Sequence, residues 1–330
     1  MSHFNKNTAY IKAIAAYLPD NIKENSPDSK LTKKTGIYKR HVVGPNECAS
    51  DLAYHAAERL FSESSIDRNV IDFVVLCTQS PDYFLPTTAC LLQQRLGLSK
   101  KCGAFDFNLG CSGYVYGLSI SKGLIESGQA ENVLLLTSET YTKYIRPEDT
   151  STEPLFGDGA SATIISGVDK GEEGIYGFDF GTDGEGAESL IVKTGASRFS
   201  ANPDNTAVNS LFMNGGEITQ FALDVVPATM ANILRKCELS KEDVDYFVFH
   251  QANKFMLNFL REKCGLMDAP YWNEIENYGN TVSTSIPLAL RDLVLSNDTK
   301  SLKKVMLIGF GVGLSWGGCI VDLNELIRKI

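Results

Sequence analysis

The sequence predicts an α/β protein built from two related βα halves, and three features carry that prediction. Short apolar runs bounded by Gly, Pro, Asp or Asn alternate with longer helical patterns along the 330 residues. The segment Asp72-Phe-Val-Val-Leu-Cys-Thr-Gln79 is echoed by Asp245-Tyr-Phe-Val-Phe-His-Gln-Ala252, each an Asp, a buried strand and a polar loop. A chain of this length exceeds one small core and falls short of three domains.

Strands are predicted over Phe73 to Cys77, Ala104 to Phe107, Val133 to Thr137, Ala160 to Ile165, Tyr246 to Phe249, Val305 to Ile308 and Cys319 to Val321. Helical patterns cover Ser112 to Glu126, Glu217 to Lys236, Lys254 to Lys263 and Ile286 to Leu295. A second pair of similar endings supports the repeat: Asn132-Val-Leu-Leu-Leu leads to Phe156-Gly-Asp-Gly-Ala-Ser, and Lys304-Val-Met-Leu-Ile leads to Phe310-Gly-Val-Gly-Leu-Ser. The halves are expected to meet around residues 167 to 175, giving units of 1–170 and 171–330.

Composition narrows the functional classes. With 43% hydrophobic and 22% charged residues, the chain has the apolar material for a sizeable core and should fold throughout. Its net charge of −9 argues against nucleic-acid binding, which needs a concentrated excess of Lys and Arg. The apolar stretch Ile11 to Leu18 is short, is interrupted by Lys12 and lacks a basic leader and a cleavage site, so no signal peptide is expected. No run approaches the ~18 apolar residues of a membrane span, and a cytoplasmic protein is expected. Eight cysteines without C-x-x-C pairs or histidines at zinc spacing predict a reducing compartment, mostly buried thiols and no metal. One basic cluster, Lys33, Lys34, Lys39, Arg40 and His41 around Gly36, reads either as a dock for an acidic carrier or phosphate-bearing cofactor, or as a solvated loop.

Three residues stand out chemically. The segment Ala104-Phe-Asp-Phe-Asn-Leu-Gly-Cys-Ser-Gly-Tyr-Val-Tyr-Gly-Leu118 places Cys111 at a turn between a buried strand and a helix. A helix N-terminus offers unpaired N–H groups and partial positive charge, which stabilise a thiolate and bind an oxyanion. Gly110 and Gly113 are expected to let a substrate approach the backbone. Of four histidines, His3 lies in the tail, His41 in the basic cluster and His55 in a helical pattern, whereas His250 ends a buried strand, where α/β folds place catalytic groups. Asn280, in the loop Glu276-Asn-Tyr-Gly-Asn-Thr, reads either as a turn residue or as an amide donor into a pocket.

Together these residues resemble the type III β-ketoacyl-acyl-carrier-protein synthases of the thiolase superfamily. Cys111 after Phe107-Asn-Leu-Gly, His250-Gln-Ala-Asn253 and Tyr278-Gly-Asn280-Thr look like that family's Cys, His and Asn motifs. Lys34-Thr-Gly-Ile-Tyr-Lys-Arg-His41, Pro86-Thr-Thr-Ala-Cys-Leu-Leu-Gln93, Phe156-Gly-Asp-Gly159 and Gly309-Phe-Gly-Val-Gly-Leu-Ser-Trp316 extend the resemblance from Ile11 to the last strand.

The resemblance implies a homodimer of thiolase-like, five-layered αβαβα subunits built from two duplicated βα halves. It implies that Cys111 takes an acyl group from a thioester, with its own N–H and one near Val312 as the oxyanion hole. His250 and Asn280 would then hold the enolate formed when a malonyl thioester loses CO2. A neutral His250 is required, so activity should fall at acidic pH. Acyl-CoA or acyl-carrier-protein thioesters would be the substrates, acyl carrier protein a partner, and no tightly bound cofactor is expected. Phe156 and Lys254 join Val312 among the substrate-binding residues. Leu85, in the loop Tyr83-Phe84-Leu85-Pro86, would cap the partner's acyl pocket and favour short chains, unless that loop merely fills the dimer interface.

Departures bear on the substrate. Lys30, Lys34 and Thr150 stand where an aromatic and arginines grip coenzyme A, so Lys34 is the cofactor-binding candidate and weak coenzyme A binding is expected. Gly216 and Thr219 replace an Asn and an aromatic near the tunnel wall, and Lys254-Phe255 replaces the usual start of the helix after the His motif. The alternatives are a non-condensing acyltransferase acting on an alcohol, amine or sugar, and a scaffold that has lost turnover. Thiolase chemistry would require a second Cys in Phe310 to Trp316, and hydroxymethylglutaryl-CoA synthase chemistry a Glu where Gln79 stands.

Overall fold

Sheets whose strands are apolar on both faces must be covered on both faces. In the computed structural model, which describes residues 8–168, 174–199, 210–296 and 302–327, this requirement is met twice. Thr8–Tyr17 (β1), Phe73–Cys77 (β2), Gly103–Phe107 (β3), Asn132–Glu139 (β4) and Gly159–Val168 (β5) form one sheet in the order β1-β5-β4-β2-β3. Strand β2 runs parallel to β3 and β4, while β5 is antiparallel to β4 and β1. Ile175–Thr182 (β6), Tyr246–Phe249 (β7), Val305–Gly311 (β8) and Ser315–Val321 (β9) form the second, in the order β7-β8-β9-β6. Its pairing senses repeat those of the first sheet, with edge strand β3 reduced among the described residues to a single parallel bridge from Tyr271 to Phe247.

Helices complete five layers. Ala49–Ser64 (α1) and Thr88–Arg95 (α2) cover the outer face of the first sheet, around Leu52, Leu60 and Leu92. Gly113–Glu126 (α3) is apolar on opposite sides and lies between the sheets, packing on β1, β4 and β5 of one and β8 and β9 of the other. Gly215–Lys236 (α4) and Lys254–Lys263 (α5) cover the outer face of the second sheet, and Ser285–Leu295 (α6) returns to the middle layer. Tyr114, Leu118, Ile286 and Leu290 share one core with residues of both sheets. The architecture is the thiolase-like αβαβα arrangement.

The first echo in the sequence has a physical basis. Asp72 Oδ2 accepts from the N–H groups of Glu131 (2.8 Å) and Asn132 (3.0 Å), and Asp245 Oδ2 accepts from Lys304 N–H (2.9 Å), so each aspartate anchors its own strand to the start of the next. The second echo is structural in its strands and not in its endings. Val133 and Val305 hold equivalent places in β4 and β8, but Phe310 lies within β8, whereas Phe156 lies before β5 and bridges to Asn280; Gly159 pairs with Glu139 as Ser315 pairs with Gly311, so Gly159, not Ser161, corresponds to Ser315. Strands β1 and β6 and helix α2 escaped the periodicity reading, β1 having been legible only as the apolar stretch Ile11 to Leu18. The expected boundary at 170/171 and His3 lie outside the described residues. No described helix is long and apolar enough to cross a membrane.

Removing the Asp72 carboxylate leaves two backbone N–H groups without their acceptor. Asp72→Ala is expected to lose about 1–3 kcal/mol, read as a lowered denaturation midpoint.

Candidate active site

Cys111 sits in the turn between β3 and α3, directly before Ser112 at the helix N-cap, and is 6% exposed. At the helix start Gly113 N–H bonds Gly110 O (2.8 Å) and Val115 N–H bonds Ser112 O (3.1 Å), while the backbone N–H of Cys111 itself is the donor to its sulfur. Ser112 Oγ and Ser315 Oγ lie 2.8 Å apart, tying this turn to the second sheet. Strand β8 passes so close that a Cβ at Gly309 would fall 2.6 Å from Cys111 O, and one at Gly311 2.9 Å from Cys111 Sγ, so only glycine fits there. Gly110 and Gly113 do not open a path for substrate as expected. A Cβ at Gly110 would meet Gln79 and Val312, and one at Gly113 would meet Cys77 Sγ, so protein fills both spaces.

His250 follows β7, is 2% exposed, and stands edge-on to Phe310 at 5.4 Å. Its Nδ1 lies 2.7 Å from Ser285 Oγ, which also receives the N–H of Gln251 at 3.4 Å. A Ser285 hydroxyl that donates to Nδ1 leaves the ring proton on Nε2. Burial lowers the pKa of His250 from 6.5 to about 3. The ring is neutral as expected, but loss of activity through its protonation moves to near pH 3.

Asn280 is 7% exposed and is held at three points. Its N–H donates to Leu155 O (2.9 Å), its carbonyl accepts from Gly157 N–H (3.0 Å), and its Oδ1 accepts from Val282 N–H (2.9 Å). With Oδ1 engaged, the Nδ2 donors remain for the cavity. Val282 carries a φ of 53°, a left-handed conformation that costs a β-branched residue about 1–3 kcal/mol.

Cys111, His250, Asn280 and Phe156 line one cavity of about 120 Å³, with Tyr141, Met213 and Ile218 among its apolar walls. Thr219 also lines it, as does Gly311, the residue before Val312; the Val312 side chain instead backs Gly110. Lys254 does not reach the cavity and packs on Gly36, although its neighbour Asn253 does line it. Leu85 is 82% exposed and lines no part of this cavity. Lys34 lies 4.2 Å over the Phe255 ring, while Thr150 lines a separate open groove with Lys23 and Glu153.

The basic cluster is divided by burial. Lys33, Lys34 and Lys39 are exposed, but Arg40 is 2% exposed and donates to the Glu153 carboxylate, Asn25 Oδ1 and Phe156 O, so it cannot dock a carrier. It supports the Phe156 segment that bridges to Asn280, a role that its place in a basic run concealed.

Glu139, at the end of β4, was also missed. Its carboxylate is fully buried and accepts from Gln79 N–H (3.1 Å), Ser80 Oγ (3.2 Å) and Ser283 Oγ (2.7 Å). Burial raises its pKa from 4.5 to about 8, against the lowering effect of these donors. Burial, then the charge of Glu139, pushes the Cys111 thiol well above its ordinary range, so the resting sulfur is protonated. Among the described residues, no group of three His, Cys, Asp or Glu side chains could hold a metal ion.

Two outcomes follow from this geometry. Gly311→Ala puts a methyl against Sγ and is expected to reduce Cys111 alkylation by a small haloacetamide at least tenfold, about the effect of a modest misplacement. The titrations oppose each other in stability. Folded Glu139 holds a proton between pH 4.5 and about 8 that the unfolded chain lacks, so its contribution falls as pH rises. Unfolded His250 binds a proton between pH 6.5 and about 3 that the folded chain refuses, so its contribution falls as pH drops. Denaturation midpoints across pH 3.5–8 should therefore show His250→Asn relieved of part of the loss on the acid side.

Residues 105–184 match the family 3-oxoacyl-[acyl-carrier-protein] synthase III, and residues 234–323 match its C-terminal region. The chain is 36% identical to the β-ketoacyl-[acyl-carrier-protein] synthase III of Natranaerobius thermophilus, over 96% of this chain and 99% of that one. A crystal structure of a 3-oxoacyl-(acyl-carrier-protein) synthase III superposes with a TM-score of 0.91 at 45% identity, covering 96% and 99% of the two chains. The priming β-ketosynthase of the R1128 polyketide pathway gives 0.88 at 29% identity, covering 98% of each. With the fold duplicated and the likeness running through nearly the whole chain, this protein belongs to the β-ketoacyl-acyl-carrier-protein synthase III family of acyltransferases, which join acyl transfer to a cysteine with decarboxylative condensation.

Proposed function

We propose that Cys111 carries the acyl group and that His250 and Asn280 drive the decarboxylation. The observation that carries this reading is the convergence, on one small cavity, of a thiol at a helix N-terminus, a neutral imidazole and a fixed carboxamide. In the first half-reaction Sγ attacks the thioester carbonyl. Cys111 N–H and the N–H of Val312 would receive the oxyanion, the C–S bond to the carrier breaks, and the carrier thiol leaves with the proton from Sγ. In the second, the electrons of the breaking C–C bond of a malonyl thioester pass to its carbonyl oxygen as CO2 departs. His250 Nε2–H and Asn280 Nδ2–H donate to that oxygen, the enolate carbon attacks the acyl-cysteine, and the sulfur leaves and is reprotonated.

On this reading the N-terminal half (1–170) supplies the nucleophile and the C-terminal half (171–330) the two donors. The substrates are acyl-coenzyme A or acyl-carrier-protein thioesters, and acyl carrier protein is the partner. A cavity of only about 120 Å³ suits a short acyl chain. The exposure of Tyr83, Phe84 and Leu85 (61%, 83% and 82%) is consistent with a homodimer in which this loop is covered. Exposed Lys34 remains the candidate contact for a phosphate-bearing carrier.

The test follows protein and product masses while acyl-coenzyme A and acyl-carrier-protein donors are chased with a malonyl thioester. A Cys111 adduct that is converted to a β-ketoacyl product supports condensation; an acyl group released unchanged onto an added alcohol or amine supports simple transfer. Asn280→Ala and His250→Ala are each expected to lower CO2 release by about 10²–10³-fold, with Cys111 acylation much less affected.

A further inference from the structure

Glu139 is fully buried, and a charge taken out of water costs several kcal/mol unless its partners compensate. Its partners are one N–H and two hydroxyls, and they come from two loops. Gln79 and Ser80 follow β2, whereas Ser283 lies three residues after Asn280. Gln79 then reaches the nucleophile: its Nε2 donates to Asn108 Oδ1 (3.0 Å), its Oε1 accepts from Tyr141 OH (3.1 Å), and a Cβ at Gly110 would stand 2.6 Å from that Oε1. A continuous series of contacts thus runs from the Asn280 loop through Glu139 and Gln79 to residues 108–110.

We propose that Glu139 is a positioning residue for the reaction, its carboxylate fastening the turn before Cys111 to the loop that carries Asn280. The inference rests on Cys111 and Asn280 acting as proposed above. Two consequences separate it from a generic core contact. Loosening either tie misplaces one donor relative to the sulfur, which the two half-reactions feel unequally. Once ionised, above about pH 8, the carboxyl also raises the Cys111 thiol, as it does Cys77, Tyr141 and Tyr144, and Asp158 acts on it in turn, so removing its charge changes how the Cys111 thiol ionises.

Full-length wild type, Glu139→Gln and Ser283→Ala are compared by three measurements: the pH profile of Cys111 alkylation by iodoacetamide, the rate of Cys111 acylation, and CO2 release from a malonyl thioester. Glu139→Gln is expected to move the alkylation profile to lower pH by about one unit and to slow CO2 release by about 10- to 100-fold. Ser283→Ala keeps the carboxylate, and should slow CO2 release while leaving the alkylation profile in place. The proposal is overturned if Glu139→Gln matches wild type in all three, or if both variants lose every rate in step with a lowered melting temperature while the profile stays fixed. Failure of wild-type Cys111 to form any acyl adduct would instead remove the reading on which the proposal rests.

Discussion

The N-terminus of the helix packed between the two sheets lies in the interior, with Cys111 6% exposed and Ser112 fully buried, and the rest of this molecule is arranged around that constraint. Helix α3 contacts both sheets, so the turn at Cys111 must be accommodated where backbone from the second sheet already runs. Strand β8 accommodates it with glycine at 309 and 311, and Ser315 binds the neighbouring Ser112. Side-chain volume at any of these points would separate the sulfur from the second sheet, whose strand ends bring His250 and Phe310 to the cavity.

Placing the thiol there sets two effects against each other. A helix N-terminus favours the thiolate by at most ~2 kcal/mol, equivalent to about 1.5 pH units. Burial and the nearby Glu139 carboxylate work in the opposite direction and push the thiol well above its usual range. Desolvation wins, and the resting sulfur is protonated. Burial does the reverse to His250, removing its charge and leaving a neutral ring with Nδ1 against Ser285 Oγ. One dry environment therefore keeps both groups uncharged, and the N–H and amide donors around them are placed for charge that develops only on oxygen during reaction.

What could be read in the sequence was whatever local pattern determines. Cys111 was legible because a buried strand, a Gly and a run of small and apolar residues dictate a strand–turn–helix, and His250 because it ends a strand that begins with Asp245. Arg40 and Glu139 were not. Each is a charged residue whose neighbours in sequence say nothing of its burial: Arg40 follows lysines that remain exposed, and Glu139 ends a strand in Thr-Ser-Glu that reads equally well as a solvated edge. Their partners, Glu153 and Phe156 for one and Ser80 and Ser283 for the other, are brought up by tertiary structure from 59 to 144 residues away. The short-range glycine arguments failed for the same reason, since Gln79, Val312 and Cys77 fill the space that Gly110 and Gly113 leave.

The duplication shows how one scaffold came to hold different chemistry in its two halves. The registers pair Phe73 with Val133 and Tyr246 with Val305, so Cys77 corresponds to His250 and Glu139 to Gly311. At the first pair, one half keeps a small buried thiol beneath Gly113 and the other offers an imidazole to the cavity. At the second, a buried carboxylate gathers the loops in one half, while the other has no side chain because Cys111 Sγ occupies that space. The edge strand β3 is full length in the first sheet, where it leads to the nucleophile; among the described residues of the second it is reduced to one parallel bridge between Phe247 and Tyr271. With the Cys111 turn pressed against β8, the second half has no room there for a counterpart of Glu139, and the two equivalent strand ends hold unequal roles.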